Sequence, residues 1–171
     1  MEFYTFNQHR HNYAIWTAAR AVQRNFTSTS KIKYAIEQTG LQEFAESDQP
    51  FSIKEFETLH TIWAVKMQEA FEASEIKTCS YGRAAKIISI YLKTSVLLCN
   101  QGNCGRSEFI HPPIDGILLK NMSKNEGLAD LKAIRWTQLS QEDYWKLVER
   151  LRTHFNRFDW RLEYYWTPEL E

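Results

Sequence analysis

Ser80-Tyr81-Gly82-Arg83-Ala84-Ala85-Lys86-Ile87-Ile88-Ser89-Ile90-Tyr91-Leu92-Lys93-Thr94-Ser95-Val96-Leu97-Leu98 is apolar almost all the way round a helix. Ser80 or Tyr81 begins it and it runs to about Leu98. Ala84, Ala85, Ile87, Ile88, Ile90, Tyr91, Leu92, Val96 and Leu97 leave no single apolar face, so other elements must surround it. One narrow strip is polar: Arg83, Lys86, Ser89 and Lys93, at i, i+3, i+6 and i+10. Lys93 interrupts the apolar run, which is too short to span a bilayer.

The flanking segments also read as helices. Upstream, His9–Arg24 is helical, with Tyr13, Trp16, Ala19 or Arg20, and Gln23 near one face. Ala14, Ala18 and Ala21 keep another face small enough for close packing. Thr29 or Ser30 caps a second helix carrying Ile32, Ala35, Ile36 and Thr39, and Gly40 stops it. Glu46–Pro50 is a loop. Ser52 with Glu55 forms a capping box for a third helix bearing Phe56, Leu59, Trp63, Met67 and Ala70.

Downstream, Asn100–Ser107 is a glycine-containing loop, and His111-Pro112-Pro113 must be extended. Asp115 occupies a cap position ahead of Ile117, Leu118 and Leu119. Ser123–Thr137 is mixed. Ser140, with Asp143 at the third helical position, caps a last helix with Tyr144, Leu147, Val148, Leu151 and Phe155 inward. Trp160, Tyr164, Tyr165 and Trp166 are expected to fold back onto the core. No alternating strand pattern competes with these assignments. The predicted fold is all-α, a compact single-domain helical fold over residues 1–171.

The composition is that of a globular chain: 43% hydrophobic, 14% aromatic and 25% charged. Lys and Arg number 21 and Asp and Glu 21. A neutral chain is not drawn indiscriminately to nucleic acid, so recognition of DNA would need a local basic face. Three cysteines and the absence of an apolar leader at the N-terminus point to a cytoplasmic protein without membrane attachment or a disulfide framework.

Lys86 and Asp115 carry the sharpest chemical signal. An ammonium in an apolar helix is costly, so Lys86 either faces a cleft or gives up its proton easily, and in both cases it can serve as an amine nucleophile. The bland alternative is a lysine paired with an acid or reaching to the surface. Asp115 at a helix N-terminus is a stabilised carboxylate, either a plain cap or a group that supports a cation. His111 either acts as acid, base or ligand, or holds the proline turn. Lys93 with Arg83 offers an anion-binding pair. Cys99, Cys104 and His111, spaced C-x4-C-x6-H with Cys79 as a fourth candidate, contain zinc-type ligands but no C-x2-C pair. No metal or cofactor is expected. His9, Arg10, His11, Arg20 and Arg24 form either a phosphate-binding face or a solvated one. Trp16 either stacks a base or packs in the core.

Taken together, Gly82 with Lys86 and Pro113-Ile114-Asp115 resemble the helix-hairpin-helix superfamily of DNA glycosylases, the 8-oxoguanine class among them. There a glycine-containing hairpin leads into a lysine on a buried helix, and an aspartate caps the next helix. In this chain the hairpin position reads Cys79-Ser80-Tyr81-Gly82, with one glycine and no proline, and the lysine follows four residues after the glycine. The chain is also similar to a broad set of uncharacterised bacterial proteins sharing an A-A-K, Y-L-K and H-P-P-I-D pattern. The glycosylase resemblance implies Asp115 as the catalytic carboxylate and Lys86 as the Schiff-base lysine. It also implies that a DNA phosphate rests on backbone N–H groups near Tyr81, Gly82 and Arg83. The expected function is therefore a DNA-processing, glycosylase-like enzyme. The alternative is a non-catalytic helical module that binds a protein or nucleic acid.

Overall fold

The computed structural model describes residues 3–22, 26–76 and 78–166. Gln23, Arg24 and Asn25 of the predicted first helix and polar break lie outside the described residues. Among the described residues the chain is all-α, with no strand. The helices are α1 (Phe6–Val22), α2 (Thr29–Glu37), α3 (Leu41–Glu46), α4 (Ile53–Ala73), α5 (Tyr81–Leu92), α6 (Gly116–Asn125) and α7 (Gln141–Phe155). A π-helical segment, Lys93–Leu98, extends α5. Short 3-10 turns occupy Gly105–Glu108, Leu131–Ala133, Trp136–Gln138 and Trp160–Tyr165.

α5 is the hub expected from its composition: α1, α3, α4, α7 and the 136–138 turn all pack on it. Tyr81, Ala84, Ala85, Ile87, Ile88, Tyr91 and Leu92 are buried. Burying each large side chain contributes about 1.5–3 kcal/mol, so this helix anchors the core. Its partner α1 turns Ala14, Ile15, Ala18, Ala19 and Val22 inward. The alanine face is thus the buried one, and Tyr13, Trp16 and Arg20 stay exposed.

Helix starts follow local capping. Ser28 caps α2, Ser52 and Glu55 form the predicted capping box of α4, and Ser140 caps α7. α1 begins earlier than expected because Thr5 and Gln8 cap it reciprocally: the Thr5 amide donates to Gln8 Oε1 at 2.7 Å and the Gln8 amide to Thr5 Oγ1 at 3.2 Å. α3 was not expected. Gly40, at φ 93°, ends the preceding turn and starts this helix at once, a backbone position that glycine suits.

The Ile110–Asp115 segment is extended and buried throughout. A buried strand without a ladder would strand its amide donors, and Pro112 and Pro113 have none to strand. The tail aromatics return only in part: Trp160 and Tyr165 are half-buried, whereas Tyr164 is exposed. Among the described residues no helix is long and apolar enough to cross a membrane.

Candidate active site

α5 positions Lys86, and the extended Ile110–Asp115 segment brings Asp115 to it. Ser80 caps α5, its hydroxyl accepting from the Arg83 amide at 3.2 Å. One and two turns on, Lys86 and Ile90 share a face with Arg83, and Lys93, seven residues past Lys86, returns to it. These four residues form one wall of a cleft of about 760 Å³. Ser89 departs from the expected strip; it is buried, and Ile90 takes its place on the cleft wall. α6 and the segment before it supply Pro113, Asp115, Ile117 and Lys120 opposite; Arg20, Trp136, Glu163 and Trp166 also line it.

Asp115 is the N-cap of α6, as predicted. Its Oδ1 accepts from the Ile117 and Leu118 amides, each at 3.0 Å. Oδ2 accepts from Lys86 Nζ at 3.1 Å and from Trp166 Nε1 at 2.9 Å. Both side chains of the ion pair are 8% exposed. Lys86 Nζ also sits 4.5 Å from the centroid of the Trp136 ring, so the ammonium is held between a carboxylate and an indole face. A carboxylate offers about four acceptor positions, and Asp115 uses all four.

Cations outnumber acids around this pair. Arg20, Arg83, Lys86, Lys93 and Lys120 line the cleft against Asp115 and Glu163. Both acids are engaged, Asp115 by Lys86 and Glu163 by Lys93. Burial pushes the Glu163 carboxyl above its ordinary range while Lys93 pulls it back. The Lys93–Glu163 pair also walls off a second cavity of about 700 Å³, lined mainly by Leu97, Leu98, Gly102, Trp160 and Tyr164. Thus a chain of zero net charge concentrates positive potential in one concavity.

Other expected site residues lie elsewhere. Tyr81 is 2% exposed, and its hydroxyl donates to Thr61 Oγ1 at 3.4 Å and accepts from Trp145 Nε1 at 3.1 Å. It faces the core, not a ligand. Two of the three amides expected to hold a phosphate are occupied: Gly82 donates to the Leu139 carbonyl at 3.1 Å and Arg83 to Ser80. The 136–139 segment covers that helix end, and only glycine fits there, because a Cβ on residue 82 would lie 2.1 Å from the Trp136 carbonyl oxygen.

His111 is 2% exposed and hydrogen-bonds through Nδ1 to the Tyr144 hydroxyl at 2.9 Å. That hydroxyl also approaches His60 Nε2 at 3.5 Å. Burial pulls His60 down to about 3, and burial with the nearby His60 and Arg152 holds His111 well below the usual imidazole range. His111 therefore anchors the proline segment as a neutral core side chain. The first-helix basic face is also broken, since His11 is buried and bonds Tyr91 at 2.8 Å. Trp16 is exposed and lies outside the cleft lining, joined to it through Arg20. Among the described residues no metal-type cluster forms; Cys79 is buried with its thiol pushed up to about 12, and all three cysteines are free.

Trp136, Trp166, Glu163 and Lys120 join the site without having been expected there. Trp166 carried a signal as a tail aromatic; Glu163, 70 residues from its partner Lys93, carried none. In comparisons with family models, curated proteins and solved structures, nothing matched the chain.

Proposed function

We propose that this chain is a DNA-processing protein of the glycosylase type, acting in the cytoplasm, that takes an extruded or unpaired nucleotide into the cation-lined cleft. The observation that carries the reading is the buried Lys86–Asp115 pair at the N-terminus of α6, on the wall of a cavity of nucleotide size. When the C1′–N bond of a nucleoside breaks, its electron pair leaves with the base, which takes a proton, and the sugar becomes cationic. A fixed carboxylate in a low-dielectric cleft stabilises that charge, and a water hydroxyl then adds at C1′. Asp115 fills this role, and Lys86, once its ammonium has given a proton to the departing base, is the neutral amine that can capture C1′ instead of water. Arg83 and Lys120 neutralise flanking phosphates, and Trp136 and Trp166 offer ring faces to the base.

The test is base release and strand cleavage on oligonucleotides carrying oxidised, alkylated or deaminated bases. Wild type releases a base from at least one of them, and Asp115→Asn does not. Borohydride traps a covalent adduct that Lys86→Met abolishes if the lysine attacks. No release from any substrate, with no trapped adduct, overturns the catalytic reading. One observation favours a second reading, a nucleic-acid-binding module without chemistry: all four acceptor positions of Asp115 are filled. Under it, oligonucleotide binding persists in Lys86→Met and no base is released by any form of the protein.

A further inference from the structure

Tyr13 and Trp16 lie one turn apart on the outer face of α1, 54% and 48% exposed. Their rings are stacked, with centroids 5.7 Å apart and planes inclined by 21°. One turn further along, the Arg20 guanidinium sits 5.6 Å from the Trp16 ring. The opposite face of the helix, from Ala14 to Val22, is in the core, so this column of two rings and a cation is held on a rigid support. Large aromatics displayed side by side on a surface mark a contact site. Arg20 is also part of the cleft lining, beside Arg83 and Lys120.

We infer that the Tyr13–Trp16–Arg20 column is a track for single-stranded DNA that continues into the cleft. This rests on the reading that the cleft receives a nucleotide and adds which form of the strand is held and where its neighbours lie. Unpaired bases lie against the exposed surfaces of Trp16 and Tyr13, and the phosphates between them and the cleft meet Arg20, Arg83 and Lys120. Charge selects this occupant: among the described residues the column ends in a concavity lined by Arg20, Arg83, Lys86, Lys93 and Lys120 against Asp115 and Glu163, a surplus of positive charge that suits a polyanion. A duplex keeps its base faces covered, so the rings favour an unpaired strand; stacking of this kind tolerates any sequence.

Fluorescence anisotropy with a fluorescein-labelled twelve-nucleotide oligothymidylate, and with a duplex of equal length, tests this across a salt series. Wild type is expected to hold the single strand more tightly than the duplex. Trp16→Ala is expected to weaken single-strand binding by roughly tenfold with the salt slope unchanged, because it removes stacking and no charge. Arg20→Gln is expected to flatten the slope of log K against log salt by about 0.7, the share of one phosphate contact. Equal affinity of Trp16→Ala and wild type, or tighter binding of the duplex, overturns the track. Both substitutions are at exposed positions, and thermal unfolding checks that the variants are folded. If oligothymidylate binding depends on Trp16 while no substrate loses a base, the track stands and the catalytic reading fails. If bases are released and Trp16→Ala binds as wild type does, the track fails and the catalytic reading stands.

Discussion

Lys86 and Asp115 illustrate how unequal two halves of one ion pair can be. Asp115 uses one oxygen for two backbone amides and the other for Lys86 and Trp166. An asparagine has a single carbonyl oxygen, so one side of Asp115→Asn must set its NH2 against existing donors while Lys86 stays buried without a counter-charge. Breaking a buried pair costs about 3–5 kcal/mol, and Asp115→Asn belongs at the upper end. Lys86→Met leaves the carboxylate with three N–H donors and belongs at the lower end. Urea unfolding of the two single variants and the double variant checks this: the double loses less than the sum of the singles, whereas strict additivity would mean the pair contributes no coupling. Trp166→Phe removes the fourth donor at a cost of about 1 kcal/mol. It exposes the Oδ2 acceptor position that a ligand would use, so oligonucleotide binding should strengthen; unchanged or weaker binding would show that the indole is no competitor for that position. Asp115 was legible as a cap because a proline pair, an aspartate and an apolar run follow one another. Its partner, 29 residues away, was not, because nothing local links them.

At the scale of elements, α5 was legible because its apolar residues admit no exposed face, yet its ends were less so. The last six residues of the predicted helix are π-helical. There the Thr94 and Ser95 hydroxyls donate to the Ile90 and Tyr91 carbonyls, at 2.9 and 2.7 Å, where the backbone ladder changes step. Hydroxyl residues hint at such a change but occur in ordinary helices too. α1 began early on a Thr5-x-x-Gln8 box that was present in the sequence, whereas the six-residue α3 had only Gly40 to announce it. Gly82 shows the same limit. Its glycine looked like a hairpin residue, but its need arises from the 136–139 segment lying against it. Gly82→Ala would gain about 1 kcal/mol of helix propensity and lose more to the clash with the Trp136 backbone. We expect a net loss of at least about 2 kcal/mol, measured by thermal or urea unfolding. A variant as stable as wild type would mean that the segment gives way freely, and the Trp136 wall of the cleft with it.

Over the whole molecule, the all-α class followed from periodicity, but the cleft could not be read from the sequence because its cations come from α1, α5, the turn after it and α6. The same long-range assembly buries His60 and His111 together, their rings 5.0 Å apart, with Tyr81, Tyr144 and Trp145 around them. Arg152 is the charged group acting on His111 from α7, itself paired with Glu57 and Glu149. Among the described residues neither imidazole has a carboxylate bonded to it, and burial holds both neutral in the fold. In the unfolded chain each takes up a proton near pH 6.5; in the fold His60 does so only at about 3, and His111 well below 6.5. The unfolded state thus binds more protons in this window. The stability these histidines confer is whole above about pH 6.5 and is lost as pH falls toward their folded values. The slope approaches about 1.4 kcal/mol per pH unit for each histidine. Between pH 6.5 and about 5 most carboxylates are still ionised, so the histidines dominate the decline. Urea unfolding at half-unit steps from pH 7.5 to 5 should show a flat region followed by this fall. Proton NMR of the imidazoles supplies the site assignment: the His60 and His111 resonances should not move across that range. A midpoint near 6.5 for either would mean that its ring meets water or an acid in solution, and that the buried aromatic cluster is not what holds the proline segment in place.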